Sequence, residues 1–513
     1  MSAMPGIFRR VSRLAAGWRA GWRGDLIAAA LGALLVLAFA PFGLYPIAVL
    51  SLAGLLWSLE GLGWRRAARR GFVFGFAEFL AGISWIYVSV HDMGGVSPIM
   101  SVLMLLFVVV VMALYSALAC GVTAAWGGSG WRRTAAFAAA WVCFEWLRGW
   151  LFTGFPWLSL GYSQVDSALK GYAPYIGGFG VSFAVVLSAG LLSLACAAGA
   201  WRRALAPLAG LAALWCAGWG LGAVTWTHPA GAPLAVSLIQ GDVAQDQKWE
   251  PAAFIPTLDL YRKLTEQNWS SQVVIWPEAA VPAYQDEVQI SYLDPLETDA
   301  RKHGTDIVMG IPTYDPKRDD YFNSVITLGA DDGTYNKRHL VPFGENFEFL
   351  PDWVKALLRD MDLPYSSFSR GAARQEPLRV AGFAIGTSIC YEDAYGADIL
   401  RDLPQAAFLV NVSNDGWFGD SIALPQHLEI ARMRAIEAGR WLLRTTNTGI
   451  TAIVDDRGRI RGQAPTDQVY VLQGRIQPLA GATPVTRWGS APIVASSLLV
   501  LLFCAWRHRV RRP

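Results

Sequence analysis

The chain is poor in charge and in cysteine. Only 16% of its 513 residues are Asp, Glu, Lys or Arg, against 53% hydrophobic residues, a balance too apolar for an ordinary soluble protein of this length. Its six cysteines contain no Cys-x-x-Cys pair and its six histidines no His-x-x-x-His pair, so no metal site at ligand spacing is expected. No nucleotide loop, internal repeat or nucleic-acid module is visible. The net charge of +3 resides largely in arginine clusters beside apolar runs, and so speaks of membrane orientation and not of nucleic acid.

What is abundant is apolar sequence. A bilayer-spanning helix needs about 20 mostly apolar residues, and such runs lie near 26–42, 46–62, 72–91, 98–120, 134–152, 177–199, 204–226 and 490–506. Arginines mark every second end: Arg9 to Arg23 precede the first run, Arg65 to Arg70 follow the second, Arg132 and Arg133 the fourth, Arg202 and Arg203 the sixth, and Arg507 to Arg512 the eighth. The loops at 41–46 and 91–96 carry no Lys or Arg, and 153–175 carries only Lys170. Basic residues near span ends are retained in the cytoplasm, so eight spans with both termini inside are expected. A cleaved leader ending at Ala38-Phe39-Ala40 is the alternative for the first run, but it leaves the alternation of basic loops unexplained. The expected organisation is a polytopic α-helical membrane domain over 1–226 with seven spans, an extracytoplasmic polar domain over 227–489, and an eighth span with a basic tail over 490–513.

Within the polar domain, short Val- and Ile-rich runs read as buried strands: Leu234–Ile239, Val273–Ile275, Ile307–Met309, Ser324–Leu328, Phe383–Ile389, Phe408–Val412 and Ile450–Val454. The segment 421–443 shows helical spacing of Leu428, Met433, Ile436 and Leu442. The mixture predicts an α/β sandwich. Ligands gather beyond the carboxyl ends of strands in such sheets, which directs attention to Trp276-Pro277-Glu278, to Asn336-Lys337-Arg338-His339, to Cys390-Tyr391-Glu392-Asp393 and to Ser413-Asn414-Asp415-Gly416-Trp417-Phe418.

Cys390 is the only cysteine of the polar domain; the other five lie in apolar runs. With no nearby disulfide partner, its reactivity is the better reason for its presence. A helix start at 393–400 would let backbone N–H groups lower its pKa and receive an oxyanion. Glu278 could take the thiol proton and Lys337 could offset the negative charge of a tetrahedral intermediate, which makes an acyl-transfer site without histidine. Each residue also has a plain reading, as buried hydrophobe, turn residue or surface cation; their order at three strand ends favours the chemical one.

Three segments, Trp276-Pro277-Glu278, the run Asn336-Lys337-Arg338-His339-Leu340-Val341-Pro342-Phe343-Gly344-Glu345, and Ser388-Ile389-Cys390-Tyr391-Glu392, resemble the signatures of the nitrilase superfamily. That resemblance implies an αββα sandwich with a Glu-Lys-Cys triad. With the spans around it, the whole chain resembles the apolipoprotein N-acyltransferase family of the bacterial inner membrane. The resemblance implies Glu278 as general base, Lys337 as oxyanion stabiliser, Cys390 as the nucleophile that becomes a thioester, and Glu345, Trp249, Tyr391 and Glu392 as supporting residues. Trp157, in Thr153-Gly154-Phe155-Pro156-Trp157, and Arg148 are expected on the outer side near a lipid entrance. The implied reaction moves the sn-1 acyl chain of a phospholipid, phosphatidylethanolamine by preference, to the α-amino group of a diacylglyceryl-cysteine by a ping-pong route, with no cofactor, no metal and no nucleic-acid partner.

Three other readings compete. A membrane-bound nitrilase-type amidase or hydrolase shares the triad. A transporter with an outer sensing domain would use intramembrane charges, for which Glu78, Glu145 and Arg148 are the candidates, read here as structural or lipid-contacting. A Cys-His protease would recruit His303, His339 or His427 and leave Lys337 unexplained.

Overall fold

The computed structural model describes residues 21–341, 345 and 368–510. The basic leader through Arg19, the Pro342-Phe343-Gly344 stretch of the second signature, and Arg511 and Arg512 lie outside the described residues. The chain divides into two compact units: one holds the described residues up to Tyr87 together with Ile99–Val224 and the chain from Trp488 on, the other Val88–Pro98 and Thr225–Arg487. The short segment 88–98, read from sequence as part of the membrane domain, thus groups with the second unit.

The first unit is helical. Its main helices are Gly21–Leu35, Pro46–Ser58, Trp64–Gly82, Pro98–Trp126, Trp131–Arg148, Ala173–Ala197, Trp201–Leu221 and Ala491–Val510. Among the described residues five helical segments are long and apolar enough to cross a bilayer, six if Trp64–Gly82 and Trp85–His91 form one bent span. Two runs read as spans fall short for physical reasons. Pro46–Ser58 has 13 residues, which at about 1.5 Å per residue reach about 20 Å, less than the roughly 30 Å of hydrocarbon. Trp131–Arg148 carries Arg132, Arg133, Glu145 and Arg148.

Small residues let these helices approach closely, as expected where lipid removes the hydrophobic drive between them. A Cβ on Gly32 would lie 2.1 Å from the Phe74 carbonyl oxygen, and one on Gly71 2.6 Å from that of Ser116. Two of the buried charges are well partnered. Arg70 donates to Asp25 at 3.2 Å and to the Ser58 carbonyl. Glu145 accepts from Ser182 Oγ at 2.5 Å and from the Leu160 amide at 3.1 Å.

Among the described residues the second unit contains fourteen strands: β1 (Thr227–Pro229), β2 (Leu234–Gln240), β3 (Val273–Ile275), β4 (Asp306–Asp315), β5 (Asp320–Leu328), β6 (Gly333–Asn336), β7 (Arg379–Val380), β8 (Phe383–Ile389), β9 (Phe408–Ser413), β10 (Leu442–Thr446), β11 (Ala452–Val454), β12 (Ile460–Gln463), β13 (Tyr470–Ile476) and β14 (Leu479–Gly481). They form two six-stranded sheets, ordered β13-β2-β3-β4-β5-β6 and β12-β11-β10-β9-β8-β7, with β1 and β14 paired separately. The strands at the centre of each sheet, β2-β3-β4 and β8-β9-β10, run parallel. β2 of one sheet lies against β10 of the other. Helices Pro251–Glu266 and Asp294–His303 cover the first sheet through Leu258, Tyr261, Leu296 and Ala300. Helix Ala423–Ala438 covers the second through Leu428, Ala431 and Ala435. The layers are therefore helix, sheet, sheet, helix.

One element differs from the sequence reading. The helix expected over 421–443 stops at Ala438, and Leu442 begins β10. Gly439 takes φ +59°, a left-handed helix end that glycine adopts without strain, and the last turn is closed by its amide.

Candidate active site

Three strand ends converge in the second unit. β3 ends at Ile275 and passes into Trp276-Pro277-Glu278. Trp276 is fully buried, donates its indole N–H to Thr265 Oγ1 at 2.9 Å and stacks on Tyr261 at 5.0 Å, which fixes the turn from behind. Gly310 on β4 receives that turn: a Cβ there would sit 2.6 Å from Glu278 Cα. A larger residue at 310 would push the carboxylate off its place.

Lys337 follows β6, its amide bonded to the Asn323 carbonyl at 2.8 Å. The ammonium lies between two carboxylates, 3.3 Å from Glu278 Oε1 and 2.8 Å from Glu345 Oε1, and its side chain is 1% exposed. Burial works to lower its pKa, but Glu278 and Glu345 more than offset it and hold the ammonium above its ordinary value. Lys337 is therefore a fixed positive charge at neutral pH.

Glu278 is held on both oxygens: Oε1 also accepts from Asn323 Nδ2 at 2.7 Å, and Oε2 from the Asn414 amide at 3.0 Å. Asn323 Nδ2 reaches Glu345 Oε1 at 2.9 Å as well, so one amide group ties the two acids together. Glu345 Oε2 accepts from the Val341 amide at 2.8 Å. Behind Glu278, buried Lys248 donates to its backbone carbonyl at 3.0 Å. Burial brings the Lys248 ammonium down to about 8, with Glu278 opposing.

Cys390 stands immediately after β8, 8% exposed, in the left-handed region with φ +52°. For a residue with a Cβ this conformation costs about 1–3 kcal/mol and persists only where neighbours enforce it. One such neighbour is Asn411, whose Nδ2 donates to the Cys390 carbonyl at 3.1 Å. Burial pushes the thiol pKa well above its ordinary value; Glu278 adds to that, and Lys337 opposes it. This corrects the expectation of a thiol acidified by a helix start: the following segment is a short 3-10 turn, Cys390–Ala394, and desolvation outweighs it. At rest the sulfur is a neutral thiol, and it can ionise only as its proton is taken up nearby.

Glu392 belongs to the framework. Fully buried, it accepts from the amides of Arg338 and His339 at 2.6 and 3.0 Å and from the Ile389 amide and Tyr335 hydroxyl at 2.8 and 2.9 Å. It clasps the Lys337 segment to the Cys390 segment. Tyr391 is buried and meets Tyr395 edge-on at 5.1 Å, whereas Trp249 is 55% exposed.

The structure thus gathers Glu278, Lys337, Glu345, Cys390, Tyr391 and Glu392 around the ends of the strands, while Arg148 and Trp157 belong to the helical unit. There Trp157 is buried against Trp85 at 4.9 Å, and Arg148 donates to the carbonyls of Trp157 and Phe155. Glu78, Glu145 and Arg148 are buried inside that unit, where all three line one cavity. Sequence reasoning missed Asn323, which carries no charge signal, and Lys248, which stands beside Trp249, the residue that drew the attention; Ser413 and Asn414 lie in a strand-end segment that the sequence points to, without a role assigned there.

Two stacked sheets with a buried Glu-Lys pair beside a strand-end cysteine define a carbon-nitrogen hydrolase type of domain, and residues 226–484 match the family described as Carbon-nitrogen hydrolase. Residues 31–191 match the Apolipoprotein N-acyltransferase N-terminal domain. The chain is similar to proteins named apolipoprotein N-acyltransferase from Methylococcus capsulatus, 45% identical over 487 residues (94% of this chain, 96% of that one), Nitrosomonas europaea, 42% identical over 492 residues (93% and 96%), and Coxiella burnetii, 40% identical over 485 residues (93% and 99%). It belongs to the apolipoprotein N-acyltransferase family, and is an acyltransferase of the membrane.

Proposed function

We propose that this protein moves an acyl chain from a membrane phospholipid to the α-amino group of a diacylglyceryl-cysteine at a lipoprotein N-terminus, through a thioester on Cys390. The observation that carries the reading is the Lys337 ammonium, buried between Glu278 and Glu345 beside the only thiol of its unit. A fixed cation there is suited to an oxyanion, and a held carboxylate to relaying one proton.

In the first half, Sγ attacks the sn-1 carbonyl carbon of the phospholipid as Glu278 takes the thiol proton. Lys337 stabilises the tetrahedral oxyanion. The ester C–O bond then breaks, and Glu278 returns the proton to the departing lysophospholipid oxygen. In the second half the acceptor amine attacks the thioester carbon and gives a proton to Glu278; the C–S bond breaks and the thiolate recovers that proton. The enzyme ends as it began, which is the form of a ping-pong cycle. Phosphatidylethanolamine is the proposed donor, and Tyr391, Trp249, Trp157 and Arg148 are proposed as substrate-side supports.

The membrane setting follows from the substrates. Each CH₂ of an acyl chain costs about 0.8 kcal/mol to bring into water, so chemistry at the bilayer surface avoids extracting either lipid. We place the protein in the bacterial inner membrane with both termini cytoplasmic and the catalytic domain periplasmic, on the support of the alternating arginine clusters; eight spans require that the short helix Pro46–Ser58 and the charged helix Trp131–Arg148 cross with the others.

A hydrolase of the same fold would hand the acyl group to water. Incubating the purified protein with phospholipid and a synthetic diacylated lipopeptide is expected to yield N-acylated lipopeptide and lysophospholipid in equal amounts. Free fatty acid in place of the N-acyl product would establish hydrolysis instead.

A further inference from the structure

Beneath Cys390 lies a second polar assembly that the reaction above does not use. β8 and β9 run parallel with Ser388 beside Asn411 and Ile389 beside Val412, so the next lateral pair is Cys390 and Ser413. Ser413 is thus the lateral neighbour of Cys390, its hydrogen bonding favours the charged form of the sulfur, and its hydroxyl lies 2.7 Å from Asp415 Oδ1. It has one proton and two acceptors.

Asp415 is part of a fully buried group of two acids and two bases. Arg444 on β10 donates to Asp415 Oδ2 at 2.8 Å and to Asp393 Oδ2 at 3.1 Å. His427, on helix Ala423–Ala438, sets Nδ1 3.1 Å from Asp415 Oδ1 and Nε2 3.0 Å from Asp393 Oδ1. Burial and the adjacent Arg444 both work against charge on the ring, but the two carboxylates outweigh them and lift its pKa to about 9, so the imidazolium is present at neutral pH. Two negative charges then meet two positive ones, which is what allows such groups to stay buried. Arg444 also donates to Asn411 Oδ1 at 2.6 Å, and Asn411 in turn holds the Cys390 carbonyl.

We infer that Ser413 is a further catalytic residue, whose hydroxyl turns from Asp415 to the Cys390 sulfur as the thiolate forms, and that Asp393, Asp415, His427 and Arg444 are positioning residues that free it to do so. The turn is possible because Asp415 keeps two charged donors, Arg444 and His427, when the serine proton leaves it. A hydrogen bond to an anionic sulfur is stronger than one to a neutral thiol, so the donor acts where charge develops. The charges that act on Sγ are then Glu278 and Lys337 from one sheet, and Asp415 and Arg444 from the other. His427 thereby acquires a role different from that of a protease histidine, and loss of activity in a His427 variant would not by itself indicate a Cys-His mechanism.

This inference rests on Cys390 being the nucleophile. Its test is the rate of alkylation of Cys390 by iodoacetamide across pH, in the full-length protein in detergent, read on the Cys390 peptide by mass spectrometry. Ser413→Ala is expected to slow alkylation by about tenfold or more at neutral pH and to move the profile to higher pH, since a hydrogen bond to a charged group is lost. Should the alanine variant fold poorly, Ser413→Thr and Ser413→Val form a matched pair that differs only in the hydroxyl: the threonine profile should follow the parent and the valine profile should be displaced. A purely structural serine would change thermal stability without moving the pH axis. Superposed profiles for Ser413→Ala, or for the Thr and Val pair, overturn the assignment. Acyl transfer by Cys390→Ser separates the two failures: activity there removes the nucleophile itself, whereas an inert Cys390→Ser with superposed profiles removes only the role of Ser413.

Discussion

Exchanging Cys390 for serine is expected to cut phospholipid-to-lipopeptide acyl transfer by about 10⁴-fold or more, with lysophospholipid release falling equally. The two side chains are close in size, so the left-handed turn and the Asn411 contact to the Cys390 carbonyl survive. What changes is the acid. A buried thiol already resists ionisation, and a hydroxyl resists it by several further pH units, beyond what a carboxylate relay can draw out. Glu278→Gln should approach the same loss by the opposite route, leaving the sulfur intact but without a place for its proton. Thermal denaturation in detergent should show both variants folded. Full transfer by Cys390→Ser would mean that another group carries the acyl chain.

Lys337→Met is expected to act on both rate and stability. Removing the ammonium leaves Glu278 and Glu345 facing one another around Asn323 without a cation. Breaking a buried pair from one side costs about 3–5 kcal/mol because the remaining charge has lost its solvent and its partner. Loss of the oxyanion donor lowers the rate by about 10²–10³-fold. The double variant Lys337→Met with Glu345→Gln separates the effects: it should recover much of the stability, since one uncompensated charge is gone, and none of the rate. Recovery of transfer in the double variant would show that Lys337 serves folding alone.

The strand ends that carry the site were legible because short Val and Ile runs stop at turn residues. Val273–Ile275 and Phe383–Ile389 coincide with β3 and β8 residue for residue. Leu442 was not legible in the same way: its spacing from Leu428 and Ile436 continues a helical stripe, and only Gly439 signals that the helix ends and a strand follows. Position at strand ends drew attention to Glu278, Lys337 and Cys390, whereas several of the groups that aim them are neutral. Asn323 bridges two acids and the Asn414 backbone amide holds Glu278, and neither role leaves a pattern in one sequence.

The electrostatics of the sulfur were the part most hidden from sequence. A strand-end cysteine before a turn suggests an acidified thiol, but the balance depends on how deeply the atom is buried and which charges face it. Here burial and Glu278 prevail over Lys337 and Ser413. The consequence is a thiol that stays protonated until substrate arrives. Trp157 shows the same limit from another side, since its segment reads as a loop between spans and its side chain is buried.

The most direct test of a thiol carrying the acyl chain is mass spectrometry of the protein after mixing with phospholipid alone. The account predicts one acyl group on the Cys390 peptide, released by hydroxylamine at neutral pH and discharged on adding diacylated lipopeptide. Turnover with an unmodified Cys390, or an acyl group trapped on a different residue, would contradict it.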